Sequence, residues 1–459
     1  MIEVLRVQAL FSVLLAAVLS LILTSTAAAQ DILSPKLDLD SAVSRALESD
    51  PRLRATQTQS KIAGERIKEA RTHWQPTVEF DQSFTRSNNP VFVFSSLLEQ
   101  GRFTASNFSL NSLNKPDGLN NFRTSVSVRA PIFDQRQSHS QIARGKIDQN
   151  RADLQIEEVS QKLKFDVITT YFGAILADEL LKATDAAVRS AKENSRKTQD
   201  FVYVGMVAES DSLVANVELA NVEQQKLEAQ SAVVKTRAAL NIAIGERPTT
   251  MYQLTGNLQE RYFPAEDGSN LVRIALEQRP DYRQALLALD DSHEATRSIR
   301  NEKLPRVEAF GTYGYSSPYI ANGSSDYTAG IRMSYTLYDP GRKSRIEQSV
   351  LSENAASSEK DRLGNQIALE VITAEQNYRT ARAKIQVSIK SVIQAEEALR
   401  ILQDRYKSAI STFETVLRAE AALLRAKHEL LKAKYEYYVS YASILLATGR
   451  LTDVRAFDH

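Results

Sequence analysis

The 459-residue chain balances 57 Lys and Arg with 56 Asp and Glu and contains no cysteine. Charges this even, interspersed rather than clustered, lack the basic footprint of a nucleic-acid binder, so no nucleic-acid partner is expected. Without thiols, a disulfide framework, a thiolate metal site and a cysteine-borne lipid anchor are all excluded.

At the N-terminus Arg6 precedes an apolar stretch over residues 7–23 and the small-residue run Thr24-Ser25-Thr26-Ala27-Ala28-Ala29. This is the pattern of an export signal, and residues 1–29 are expected to be cleaved off. The competing reading, a membrane anchor, calls for about 20 apolar residues, more than this core supplies. No later stretch approaches the length of a spanning helix, so an exported chain is left with the periplasm, the exterior, or an outer membrane crossed by strands.

From there the chain says everything twice. Ala46-Leu47-Glu48 and Pro51 return as Ala275-Leu276-Glu277 and Pro280, and Pro76, Val78 and Glu79 return as Pro305, Val307 and Glu308, all at an offset of 229. Asp134 matches Asp339 at 205, and Val167-Ile168-Thr169 matches Val371-Ile372-Thr373 at 204. The fall in offset from 229 to 205 marks an insertion of 24 residues in the first copy. So long a period signifies a duplicated domain rather than a solenoid. The expected organisation is a first repeat over 30–245 (helix, strand pair, helical hairpin), a connector over 246–268, a second repeat over 269–449 and a tail over 450–459.

Each repeat carries two alternating segments. In the first, residues 77–85 and 122–132 have the two-residue period of strands, with Val78 and Phe80 on one face of the former and Val126 and Val128 on one face of the latter. In the second, residues 307–313 alternate, and so do residues 327–337, where Tyr327, Ala329, Ile331, Met333, Tyr335 and Leu337 share a face opposite Thr328, Gly330, Arg332, Ser334 and Thr336. Strands of about 10 residues with one apolar face have the length to cross an outer membrane. Val78, Phe80, Val126, Val128, Ile331, Met333 and Tyr335 are therefore expected to face lipid. A soluble sheet with one wet face fits any single strand equally well. The insertion between the first two strands, residues 87–121, is rich in Val, Leu and Phe for an external loop, and leaves open whether it covers a barrel mouth or lies on the outer leaflet.

After each strand pair comes a very long helix. Residues 136–200 contain no proline and two glycines, and residues 342–405 contain no proline and one glycine. In the latter, Ile367, Val371, Ala374, Tyr378, Ala381, Ile385, Ile389, Val392, Ala395, Leu399, Leu402 and Tyr406 recur every three or four residues, a coiled-coil stripe on a helix of roughly 95 Å. Short breaks at 204–206 and 408–412 lead into second helices over 210–244 and 413–448, each expected to end in a left-handed cap at Gly245 or Gly449. The fold class is thus mixed but mostly α: two long antiparallel hairpins plus four strands. Four strands cannot close a barrel, and lipid would not tolerate the open edges. Three copies giving twelve strands form the smallest arrangement with a water-filled interior, so a homotrimer is expected.

With these residues in view, the chain resembles the TolC-type outer-membrane efflux proteins over its whole mature length. The resemblance rests on the Ala46 and Ala275 openings, on Pro76 and Pro305, and on two hairpin tips, Gly205 through Ala215 and Arg405 through Ala419. It implies a twelve-stranded barrel in the outer membrane, a helical tunnel through the periplasm, and partners in a periplasmic adaptor protein and an inner-membrane pump. It places Gly205 and Ala409 at the tips, Asp211 and Tyr406 as gate candidates, and Glu414 beside them. Ala409 stands where many members have glycine. Thr415 and Arg418 stand where some have acids, so no acidic ring at the tunnel mouth is implied.

Each gate residue has a plainer reading. Asp211 also suits a helix N-terminus, where the macrodipole favours acids, and Tyr406 continues the Leu399 and Leu402 stripe. His73, His139, His293, His428 and His459 are scattered without ligand spacing, and no Gly-rich phosphate loop precedes a helix, so neither catalysis nor a metal nor any other cofactor is expected. Two other classes compete with a channel: a structural coiled coil of the periplasm or surface, which lacks paired strands, and a pump adaptor, which lacks the duplication. The cargo, whether drug, metal ion or protein, is not written in the sequence.

Overall fold

The computed structural model describes residues 35–457 except 260, 264–267, 321 and 409. The expected signal over 1–29 and the tip residue Ala409 lie outside the described residues. In chain order the elements are β1 (Lys36–Leu37), α1 (Leu39–Ser49), α2 (Pro51–Thr72), β2 (Thr77–Ser87), α3 (Pro90–Glu99), a 3-10 turn, α4 (Leu110–Asn114), β3 (Leu119–Asp134), α5 (Gln137–Tyr203) and α6 (Glu209–Ala243). There follow β4 (Gln253–Leu254), α7 (Gly268–Gln278), α8 (Pro280–Asn301), β5 (Arg306–Ser317), β6 (Ser324–Ser334), α9 (Arg342–Lys407) and α10 (Phe413–Ala447). The order α1-α2-β2-β3-α5-α6 thus recurs as α7-α8-β5-β6-α9-α10.

Local chemistry sets the boundaries. Pro51 and Pro280 stand at the first helical position of α2 and α8, where the missing N–H has no intrahelical duty. Asp134, ahead of α5, accepts from the Ser138 N–H at 2.7 Å, and Asp339, its counterpart ahead of α9, accepts from the Gly341 N–H at 2.9 Å. Gly245 (φ +77°) and Gly449 (φ +71°) close α6 and α10 as expected. Glu246 N–H bonds Asn241 O at 2.8 Å and Arg450 N–H bonds Leu445 O at 2.7 Å, the six-to-one link that satisfies helix-end carbonyls.

At 67 and 66 residues, α5 and α9 each extend about 100 Å. They pair lengthwise with α6 and α10, while α2 lies against the N-terminal half of α5 and α8 against those of α5 and α9. The core sits midway along, where Val167, Ile168, Tyr171 and Phe172 of α5 meet Ile367, Val371 and Tyr378 of α9 and Tyr437, Tyr438 and Tyr441 of α10. β1 and the connector are stitched into it: Tyr171 donates to Leu37 O at 3.1 Å and accepts from Gly256 N–H at 3.1 Å, Tyr378 donates to Phe263 O at 2.6 Å and Tyr438 to Gln259 O at 3.1 Å. Burial raises the Tyr378 and Tyr438 phenols above their ordinary pKa, so both remain protonated donors.

One four-stranded antiparallel sheet, in the order β2-β3-β5-β6, stands at the far end of the long helices. Its strands run for 11, 16, 12 and 11 residues. The last strand ends at Ser334, paired with Arg306. The alternation expected through residue 337 therefore overran it, and Tyr335, expected on a strand, lies just beyond. Pro305 precedes Arg306 and has no N–H to extend the ladder.

Candidate pore-forming surfaces and hairpin tips

Register assigns every strand side chain to one of two faces. Val78 faces Val128, Phe80 faces Val126, Val126 faces Tyr313, and Tyr313 faces Tyr327. On the same face, Ala309 opposes Ile331 and Val307 opposes Met333. Six of the seven residues expected to face lipid therefore share one mostly apolar surface with Tyr313, Tyr315, Tyr327 and Phe84, interrupted by the hydrogen-bonded Gln82–Thr124 pair. It is bare in this chain: Val78 and Phe80 are each 68% exposed and Ile331 72%.

The opposite face is polar and cross-linked by ions. Arg129 pairs with Glu79 at 2.8 Å, Arg332 with Glu308 at 3.1 Å, and Arg123 with Asp326 at 3.0 Å. Ser127 and Thr312 share a hydrogen bond at 3.1 Å. Among the described residues β2 and β6 each pair on one side only, so the sheet has two open edges. The sheet thus combines an apolar face, a polar face and two unpaired edges.

At the other end of the hairpins, Gly205 turns the chain with φ +74°, and nothing lies within 4 Å of where a side chain would start. Met206 N–H bonds Phe201 O at 2.8 Å, capping α5. Tyr203, Met206 and Ile410 project into solvent, 91%, 70% and 67% exposed. Behind them Ala215, Phe413, Leu417 and Tyr406 form a small cluster that joins the two tips of one chain, with the Tyr406 and Phe413 rings 5.4 Å apart. The sequence places Tyr406, Ala215 and Leu417 within the tip motifs but gives no sign that they pack together.

The gate candidates do not behave alike. The Tyr406 hydroxyl is buried and has no hydrogen-bond partner among the described residues. Burial and the Asp211 charge both raise its pKa, which places Asp211 electrostatically beside it. Asp211 lies in the first turn of α6. Glu414 is turned away, bound to Arg418 at 2.6 Å along the exposed side of α10. Glu420 is occupied by Asn194 at 2.9 Å. Along α6, Leu213, Leu227 and Val234 fall at multiples of seven residues, with Val217 one turn after Leu213, and all four are 60–69% exposed.

Among the described residues no helix is long and apolar enough to cross a membrane, and no cluster of His, Asp and Glu could hold a metal ion.

A family model described as outer membrane efflux protein matches residues 42–246 and 271–450. The chain is 22% identical to the outer membrane protein TolC of Escherichia coli K12, over 88% of this chain and 80% of that protein. Solved outer-membrane channels share its fold. The CmeC outer membrane channel of Campylobacter jejuni superposes with a TM-score of 0.76 at 19% identity, covering 91% of this chain and 87% of CmeC. The MtrE outer membrane channel of Neisseria gonorrhoeae, solved in an open state, does so with a TM-score of 0.73 at 17% identity, covering 91% of each chain.

Proposed function

This chain belongs to the outer membrane efflux protein family and is an outer-membrane efflux or secretion channel, and we propose that it works as a passive duct built from three copies. The observation that carries the proposal is the two-faced, open-edged sheet at the end of hairpins about 100 Å long. Three such sheets close into twelve strands, with Val78, Phe80, Val126, Val128, Ile331 and Met333 toward lipid and the Arg129–Glu79 and Arg332–Glu308 pairs toward water. The hairpins then enclose a tunnel, and the exposed α6 seam supplies the contact to the next copy.

The duct has no chemistry of its own. Its energy comes from an inner-membrane pump reached through a periplasmic adaptor, for which the apolar tip residues Tyr203, Met206 and Ile410 and an alanine-lined groove between the hairpins offer docking surface. That groove encloses about 260 Å³ and is lined by Ala183, Ala187, Ala191, Val222 and Leu424. Cleavage after residue 29 and the repeat boundaries at 245 and 269 belong to this reading.

At the tips, three copies bring Asp211 around one axis, with the Tyr406 hydroxyl buried behind it, and a cross-chain hydrogen bond to Asp211 would hold the tunnel shut. A bond of this kind contributes on the order of 1–3 kcal/mol, enough to shift a closed population. Single-channel recording in planar bilayers tests it with Asp211→Ala combined with Tyr406→Phe. Larger or more frequent open states support the gate, and unchanged conductance from an intact trimer makes these residues ordinary coiled-coil positions.

A further inference from the structure

The insertion of the first copy folds as a helix with its own attachments. Asn89 caps α3, its side-chain oxygen accepting from the Val91 and Phe92 N–H groups at 3.0 and 3.2 Å. Gly101 (φ +65°) ends it, with Arg102 N–H bonding Leu97 O at 2.9 Å. The rings of Phe94, Phe103 and Phe108 then stack edge-on at 4.9 and 5.1 Å and stiffen the following turn.

The helix has two faces. Val93, Ser96 and Gln100 are only 7%, 2% and 3% exposed, whereas Val91 and Leu98, half a turn round, are 77% and 51% exposed. The buried side lies on the polar face of the sheet, at the end of the strands remote from the long helices. The Gln100 amide donates to Asn121 Oδ1 at 3.0 Å and to Asn120 O at 2.8 Å. Glu99 accepts from Arg123 at 3.4 Å and from the Ser316 hydroxyl at 3.4 Å. Arg123 at the same time holds Asp326 through two bonds of 3.0 Å, reaching across β5 above Gly314. A Cβ on Gly314 would lie 2.7 Å from the Arg123 guanidinium, so the bare backbone makes room for the bridge.

We propose that α3 is an outer lid, lying inside the mouth of the barrel, latched to its wall through Glu99–Arg123 and Gln100–Asn121, and presenting Val91 and Leu98 to the lumen. The inference rests on the duct reading above, because the polar face of the sheet is luminal only in a closed barrel. Three such helices narrow the outer opening with an apolar rim. A rim of this kind resists hydrated ions by dewetting while letting apolar or amphipathic solutes slide past. The latch is a single ion pair and one amide per subunit, so the lid is held without being locked.

The cysteine-free chain allows a direct test. Val91→Cys and Leu98→Cys trimers are recorded in planar bilayers before and after complete reaction, checked by mass, with a bulky cationic methanethiosulfonate. Conductance is expected to fall by about twofold or more, as for any bulky group added at a constriction. Glu99→Gln, which leaves Arg123 bound to Asp326, is expected to raise conductance without reagent. Unchanged conductance in all three variants of a trimer that still conducts overturns the lid. Absence of any channel in the unaltered protein overturns the duct, and the lid with it.

Discussion

Asp50 and Arg52 open α2 as an ion pair at 3.0 Å, and 229 residues later the same two positions hold Arg279 and Asp281, the pair with its charges exchanged. The exchange has consequences. Asp50 caps its helix, accepting from Arg52 and Leu53 N–H. Arg279 cannot accept and instead reaches Glu370 of α9 at 2.6 Å and Ala447 O at the end of α10. Burial opposes ionisation of Asp281, but the Arg279 bonds outweigh it and hold its carboxyl below the ordinary value. A depressed carboxylate contributes stability that is fully present above its unfolded pKa, about 4, and is lost as pH falls through the folded value. Thermal melts should therefore show the natural protein losing stability below about pH 4 more steeply than Asp281→Asn. Equal slopes would show that the pair carries no net coupling. Arg279→Met should cost about 1–3 kcal/mol at neutral pH by leaving two acids unpaired.

On the sheet, Ile331→Arg should cost about 2–4 kcal/mol if the residue sits near the bilayer midplane. Labelling reads the same assignment. Single cysteines at 331 and 333 should resist a water-soluble thiol reagent in membranes, while 332 and 334 react. Equal labelling along 331–334 would contradict the assignment of faces.

Among the elements, the long helices were the most legible. A stretch free of proline and nearly free of glycine over 342–405 became α9, Arg342–Lys407, and its stripe from Ile367 to Ile385 is buried as the spacing required. Strands were legible in kind but not in extent: β6 stops where its partner offers no further donor, because Pro305 stands just ahead of Arg306, the first residue of β5. Helix α3 was missed: Pro90-Val91-Phe92-Val93-Phe94 is rich in strand formers, and only Asn89 before Pro90, a cap followed by a first-turn proline, signalled a helix. The tips were half legible. Spacing located the break at Gly205 and put Tyr406 on the apolar stripe, and the family resemblance singled out Asp211 and Tyr406, but nothing in either could reveal that Ala215 and Leu417, from different hairpins, close over Tyr406.

The terminal glycines allow a graded test. A Cβ on Gly449 would lie 2.9 Å from the Arg279 backbone, and one on Gly245 would collide with Ser49, the equivalent helix junction in the other copy. Gly205 has open space. Gly205→Ala should cost only the left-handed backbone, about 1–2 kcal/mol, whereas Gly245→Ala and Gly449→Ala should cost visibly more. Circular-dichroism melts giving equal losses for all three would refute the packing argument.

Taken whole, the chain is unfinished by itself. It exposes an apolar sheet face, two open sheet edges and an apolar seam along α6, and only the first of these is suited to lipid. The edges and the seam call for further copies. Three sheets supply twelve strands, while two would leave a barrel at the lower limit of closure, filled by its own side chains. The lid, the gate and the lipid face all take their meaning from that closure. Native mass spectrometry of the protein extracted from outer membranes in detergent tests it most directly. The account predicts a complex of three chains, and recovery as a monomer or in the soluble periplasmic fraction would contradict it.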